Sequence, residues 1–267
     1  MKPNFLQNSP EGRVLAFIER NNLVQKEDRV IVAVSGGPDS VALLKIVLTL
    51  KDTLKCQILA CHFNHRLRGE ESDKDEEFVR NLCREWGVPC LFGSAVKENL
   101  YKNENEAREA RYAFFEKLLQ EGRGDKVATA HHQNDLAETV LLRLVRGSGL
   151  AGLKSIPSRR GKFIRPLLAL PRSEVLKFLK EKEIDFRTDQ TNYDLKFTRN
   201  RIRHELLPIL AEYNPNIVEM LAGVAGAIEK DYQFIEDEVS RRISFSKEED
   251  RILFSYKSWK ELPDSLK

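Results

Sequence analysis

The sequence predicts an α/β fold, a doubly wound parallel sheet of about five strands followed by a small helical C-terminal region. Three observations predict it. Short β-branched runs alternate with amphipathic helical stretches from Arg13 to Val145. The first run stops at a Gly-Gly turn that opens directly into a helix. From Pro171 to Ile243 the periodicity becomes helical.

Taken in order, Arg13 to Leu23 reads as an amphipathic helix with Val14, Phe17 and Ile18 inward. Ile31 to Val34 is a buried strand, and Val41 to Leu50 is the helix after it. Gln57 to Phe63 is a second strand, ending in His62, Asn64 and His65. Glu70 to Trp86 is charged on one face and carries Phe78, Val79 and Leu82 on the other, and Gly87-Val88-Pro89 ends this helix. Cys90 to Val96 is a third strand and Asn105 to Leu119 a helix. Lys126 to Ala130 is a fourth strand, and Asp135 to Val145 a helix closed by Gly147. Phe163 to Leu167 is a short last strand. Helices are expected over Arg172 to Lys182, Arg199 to Leu210 and Asn216 to Ile243, and Ser244 to Lys267 is weakly patterned.

Composition narrows the class. The 267 residues suffice for one large α/β domain and a smaller piece. Basic residues number 44 and acidic residues 41, a net +3 too small to announce a nucleic-acid binder by itself. Cys56, Cys61, Cys83 and Cys90 contain no C-x-x-C pair, so zinc-ribbon and thioredoxin-like motifs are unsupported. Free thiols in a reducing compartment are the plain expectation. The first residues lack an apolar signal core, and the longest apolar helical run is too short to span a bilayer. A soluble cytoplasmic protein is expected.

The chemistry gathers at strand ends, where parallel sheets bind ligands. Ser35-Gly36-Gly37-Pro38-Asp39-Ser40 joins strand to helix as an anion cradle, with free N–H groups and the helix dipole favouring negative charge. No Lys lies between Gly36 and Ser40, so this is not a Walker loop. A carboxylate beside polyphosphate repels it unless a cation intervenes, so Asp39 reads as a Mg²⁺ ligand; the plain alternative is a helix-start acid satisfying the dipole. Asp135 and Glu138 lie three apart on one helix face, after Thr129-Ala130-His131-His132. Such a pair can hold Mg²⁺ or handle a nucleophile's proton, or only complement the dipole. His131 and His132 read equally as catalytic or as core and capping residues. Asn64, His65, Arg66 and Arg68 form a cationic strand end able to contact ribose, base or phosphate. Arg108 and Arg111 share a helix face, either as members of Glu–Arg helix pairs or as a phosphate-binding pair. Lys196, Arg199, Arg201, Arg203 and His204 form the densest cationic cluster, either a solvated face or a phosphate patch.

The hexapeptide resembles the PP-loop of the N-type ATP pyrophosphatases. Further blocks resemble one branch of that family, the tRNA(Ile)-lysidine synthases: His62-Phe63-Asn64-His65 with Arg66-Leu67-Arg68; Glu106-Ala107-Arg108 with Arg111-Tyr112; Ala130 to His132 through Asp135 and Glu138-Thr139, then Arg146 to Gly149; Asp189 to Asn192; and Arg199 to His204. The resemblance covers residues 30 to about 210. It implies an adenine nucleotide α-hydrolase-like fold, with residues 1–214 a PP-loop ATP-binding catalytic domain and 215–267 a helical region whose end leaves open whether a further domain follows. It implies ATP and Mg²⁺ as cofactors, with Ser35 to Ser40, His62, Asn64, His65, Arg111 and His131 at the ATP. Asp39 and Asp135 would hold metal. Asp39, Arg111, Asp135 and Glu138 would serve catalysis. Arg66, Arg68, Arg108, Arg199, Arg201 and Arg203 would hold RNA. The implied reaction adenylates the carbon-2 oxygen of the first-anticodon cytidine of an isoleucine tRNA with a CAU anticodon. Free L-lysine then displaces AMP. The sequence leaves a homodimer open. The rival readings are another PP-loop RNA-modifying enzyme, such as a tRNA thiolase, and a non-catalytic ATP- or RNA-binding module.

Overall fold

A computed structural model describes residues 8–96, 101, 104–188, 198–248 and 251–266. The opening helix, α1 (Pro10–Arg20), is capped by the Ser9 hydroxyl and has Pro10 at its first position, so it begins before the apolar period does. Then follow β1 (Arg29–Ala33), α2 (Pro38–Leu54), β2 (Gln57–Asn64), α3 (Glu70–Glu85), β3 (Cys90–Ser94), α4 (Glu104–Gln120), β4 (Lys126–Ala128) and α5 (Gln133–Val145). A single turn, α6 (Leu150–Leu153), leads to the hairpin of β5 (Arg159–Arg160) and β6 (Phe163–Ile164).

The sheet order is β3-β2-β1-β4-β6-β5, parallel except for the β5 edge. Chain direction across the sheet reverses between β1 and β4. The crevice above that switch point is where such folds receive ligands. On one face α1, α2 and α3 cover Val30, Val32, Ala60 and Ile164, and α7 (Arg172–Glu181) adds Val175, Phe178 and Leu179. On the other, α4 covers Ile31, Cys61 and Val127 with Phe115, Leu118 and Leu119. Burial on both faces is why β1 reads as a continuous apolar run.

The expected strand over Phe163 to Leu167 is corrected to two residues. Pro166 has no N–H for a ladder, and Pro166–Ala169 forms a 3₁₀ turn. The expected helix over Arg199 to Leu210 is three joined pieces: α8 (Thr198–Arg201), a π-helical turn (Ile202–Leu206) and α9 (Leu207–Tyr213). Pro208 cannot donate to the His204 carbonyl, and the wider turn accommodates it. The long helix α10 (Ile217–Arg242) buries Leu221 and Ala225 against Ala137, Val140 and Leu141 of α5, with Ile202 and Leu207 in the same cluster. The weakly patterned end forms a hairpin, β7 (Phe245–Glu248) and β8 (Arg251–Phe254), and a short helix, α11 (Tyr256–Lys260).

Candidate active site

The carboxyl ends of β1, β2 and β4 surround a cleft of about 620 Å³. The loop between β1 and α2 closes on itself. The Ser40 hydroxyl donates to the Gly37 carbonyl (2.9 Å) and accepts the Ser35 N–H (3.1 Å), and the two serine oxygens lie 3.1 Å apart. Gly36 takes φ +93°, a conformation that a side chain disfavours. Gly37 caps α2 without a side chain, so the first-turn N–H groups of Asp39 and Ser40 have no intrahelical acceptor.

A strap over residues 184–188 crosses this loop, unheralded by any sequence motif. The Arg187 N–H donates to the Gly36 carbonyl (2.9 Å). Its guanidinium donates to Asp75 (2.9 Å) and Glu71 (2.7 Å) at the start of α3, and Asp75 also accepts from Arg68 (2.6 Å). Because the peptide is planar, holding the Gly36 carbonyl against the strap turns the Gly37 N–H the opposite way. Arg187, Thr188 and Arg172 line the cleft. The place of Arg187 rests on contacts more than a hundred residues apart, which no local pattern carries.

Asp39 enters from the first turn of α2. One carboxylate oxygen is buried and has no hydrogen-bond partner, and the other lies 3.6 Å from Nε2 of His132. His132 caps α5, accepting the Asp135 N–H at Nδ1 (3.3 Å), while Asp135 accepts the His132 N–H (3.0 Å). Burial opposes a charge on His132, but Asp135 and Asp39 outweigh it and raise its pKa. Burial also opposes the Asp135 charge, yet His132, His131 and Arg199 hold that carboxyl below its ordinary range.

Glu138 is fully buried and does not line the cleft. Arg203 donates to both its oxygens (2.6 and 3.0 Å) and Arg199 to one (2.8 Å). Arg199 also reaches Asp135 at 3.1 Å. Burial opposes the Arg203 charge, and Glu138 overcomes it to raise that pKa. These two arginines therefore point inward and fasten α8 and the π turn to α5. Arg201 stays on the surface, bonded to Glu205 (3.1 Å).

On the β2 side, Nδ1 of His62 donates to the Val34 carbonyl (2.8 Å), leaving Nε2 a buried acceptor without a partner. Burial lowers the His62 pKa and takes those of His65 and His131 to about 4 each. All three are neutral at pH 7. Asn64 is occupied: its amide donates to Asp73 and Glu76 (3.1 Å each) and its carbonyl accepts the Arg66 N–H (2.9 Å). Arg66 takes φ +52° in that turn. From α4, Arg111 lines the cleft, whereas Arg108 is exposed and lies over the Tyr112 ring.

The cleft thus brings together Ser35, Gly37 to Ser40, His62, Asn64, His65, Arg68, Arg111, His131, Asp135 and Arg203. Arg66, Arg108, Glu138, Arg199 and Arg201 do not line it. Asp189 to Asn192 and Lys196 lie outside the described residues. Among the described residues no cluster of three His, Cys, Asp or Glu forms a preformed metal cage. A cation shared between Asp39 and phosphate oxygens needs no such cage, and the partnerless Asp39 oxygen fits it.

A tRNA(Ile)-lysidine synthase of Clostridium perfringens is 41% identical over 237 residues, covering 86% of this chain and 50% of that protein. One from Thermotoga maritima is 37% identical over 235 residues, covering 85% and 56%. The chain spans about half the length of the curated relatives it matches. The U34-tRNA thiolase NcsA from Methanococcus maripaludis shares the fold, with a TM-score of 0.68 at 19% identity over 82% of this chain and 78% of its own. The family model of the PP-loop domain matches residues 7–210, most of the chain, and the protein belongs to that family.

Proposed function

We propose that this chain catalyses lysidine formation on a CAU-anticodon isoleucine tRNA, in the cytoplasm, with ATP and Mg²⁺. The observation that carries the reading is Asp39, whose buried, partnerless oxygen sits between the phosphate cradle and the His132–Asp135 cap in one cleft. The curated relatives that cover 86% and 85% of this chain are named for this reaction.

In the first step the carbon-2 oxygen of cytidine attacks the α-phosphorus of ATP. The bond from that phosphorus to the bridging oxygen breaks, and diphosphate departs. The N–H groups of Asp39 and Ser40 and the α2 dipole would hold the departing charge. Arg111 would balance charge at the α-phosphate, and the bare Nε2 of His62 offers an acceptor to the adenine amino group. Mg²⁺, held by Asp39 and assisted by Asp135, would neutralise phosphate charge.

In the second step the ε-amine of lysine attacks carbon 2, the carbon–oxygen bond breaks, and AMP leaves. The ammonium, with a pKa near 10.4, must first lose a proton, which passes to solvent water. Asp135 is held below its ordinary range, a poor base but a stable anion, so it orients the amine rather than deprotonating it. Glu138 acts through Arg199 and Arg203, as a positioning residue. The base reaches the cleft only when swung out of the anticodon stack.

Burial raises the thiols of Cys61 and, to about 11, of Cys56, so neither is disposed to thiolate chemistry of the thiolase kind. No helix among the described residues is long and apolar enough to cross a membrane. Mass spectrometry of isoleucine tRNA after incubation with ATP and lysine tests the proposal. The anticodon fragment should gain lysine less water; a sulfur-donor requirement, or no change, would overturn it. Asp135→Asn with diphosphate release and lysidine formation unchanged would remove any essential part for Asp135.

A further inference from the structure

The small net charge conceals a strongly segregated one. Between Glu138 and Glu174 lie 35 consecutive residues with no acidic side chain and eight basic ones. At the chain's average composition that stretch would hold about five acids. Outside it, 36 basic residues face 41 acidic ones.

The structure divides those eight cations by direction. Arg143 donates to the Gly152 carbonyl, Arg165 is buried and donates to Pro157 (2.7 Å), and Arg172 lines the cleft. Lys154 lies over the Tyr232 ring and 3.6 Å from Glu236. The other four, Arg146, Arg159, Arg160 and Lys162, are exposed. Among the described residues none of the four forms an ion pair, whereas on α3 Lys74 and Arg80 each meet a neighbouring carboxylate within 2.9 Å.

Three of the exposed four sit on the β5–β6 hairpin, at the sheet edge. Arg160 pairs with Phe163 across the hairpin, so both project to the α4 side, as does Arg165 two residues on. Arg108 and Arg160 both bear electrostatically on Arg165. Arg108 stands one helical turn before Arg111, which lines the cleft. Arg111, Arg108 and Arg160 therefore run from the cleft along the α4 side to the hairpin, while Arg159, paired with Ile164, projects to the other face of the edge strand and Lys162 stands at its turn.

We propose that this hairpin edge, Arg160 with Arg108 on the α4 side and Arg159 and Lys162 around the strand and its turn, is the docking face for the phosphate backbone of the RNA whose base enters the cleft. It rests on the function proposed above for that cleft. Exposed guanidinium and ammonium groups without an ion pair, on a hairpin whose turn Arg159 itself braces by donating to the Gly161 carbonyl (3.0 Å), are what phosphate contacts require, and they position a substrate without reading its sequence. Charged side chains on an edge strand also keep it from pairing with another sheet, a purely protective use that the test separates.

The test measures binding of an anticodon stem–loop RNA bearing CAU to the whole chain across a salt series. R159A/R160A/K162A should lower the slope of log affinity against log salt by about 2–3 and weaken binding at least about tenfold near 0.15 M salt. ATP affinity should be unchanged, and R108A should lower the slope by about one more. K177A/K182A, on α7 and at its C-cap, should leave slope and affinity as they were. If the parent chain binds the RNA and the triple variant keeps its slope, the docking face is overturned while the cleft reading stands. Unchanged RNA binding with new self-association of the triple variant also overturns it, in favour of edge protection. If the parent chain binds no such RNA, both proposals fall.

Discussion

The two ends of the parallel strands handle buried polar groups in opposite ways. At the amino end, Lys126 meets Asp28 at 2.7 Å with both side chains largely buried, and Arg29 takes Asp125 through its backbone N–H (2.8 Å) and its guanidinium (2.9 Å). Those hydrogen bonds carry the Asp125 pKa down to about 2. At the carboxyl end stand all five of the buried side-chain atoms without a partner among the described residues: on Asp39, His62, His65, Gln133 and Arg165. A buried polar atom left unpaired costs about 1–3 kcal/mol. Spending that at one rim, and nowhere else among the described residues, separates the end that holds the sheet from the end that meets a ligand. Glu138 complicates the division, being satisfied like the amino end yet placed beneath the rim.

The largest expected effects test that assignment of Glu138. Removing one partner of a buried ion pair costs about 3–5 kcal/mol. Glu138→Gln should therefore lower unfolding stability in urea by roughly that amount, and Lys126→Met should do so to a similar extent at the other end. The two should part in catalysis: Lys126→Met should leave kcat within about twofold, while Glu138→Gln loosens Arg203 at the cleft and should lower it. Equal kcat for both would return Glu138 to a purely structural place.

Next comes Asp39→Asn, expected to reduce RNA-dependent diphosphate release about 10²–10³-fold, the scale for losing one preorganised electrostatic contact. Its stability should change little, since a buried carboxylate oxygen without a partner is removed while the charge facing His132 is lost. A marked loss of stability would make Asp39 a structural residue and erase the contrast between the ends.

A pH effect of intermediate size follows from His131. Its folded pKa, about 4, lies below the ordinary 6.5, so the folded state excludes a proton that the unfolded chain binds. Its contribution is complete above pH 6.5 and declines as pH falls toward 4, where it is gone. Each unit of separation is worth about 1.4 kcal/mol. His131→Asn should therefore flatten the fall in stability between pH 6.5 and 4.5 by roughly 2 kcal/mol relative to the parent. Parallel curves would contradict the placement of His131.

The smallest effect belongs to the strap. Arg187→Ala should raise KM for ATP about tenfold with kcat changed less, because the Gly36 peptide loses its anchor, and Arg187→Lys should recover part of the loss. A fall in kcat alone would place Arg187 elsewhere in the reaction.

Much of this rim is legible in the amino-acid sequence. The alternation of strands and helices, the Gly-Gly corner and the position of Asp39 follow from local periodicity and backbone chemistry, and each appears where expected. What is illegible there depends on partners distant in the chain. An i,i+4 pair such as Arg199 and Arg203 announces a charged face without saying whether it meets solvent, RNA or a buried acid, and here it meets Glu138. Arg187 carries no local signal at all. The strand β5 is two arginines, with no apolar alternation to betray it. The proline effects are nearer the surface: Pro166 and Pro208 mark where a strand ends and a helix widens.

The central claim is that the rim hands the α-phosphorus of ATP to a nucleobase. Supplying α-labelled ATP with the CAU-anticodon RNA, first without and then with lysine, tests it most directly. The account predicts label retained on the RNA in the first case, then released as AMP in the second, with diphosphate formed throughout. Release of ADP and orthophosphate, or label that never joins the RNA, would contradict it.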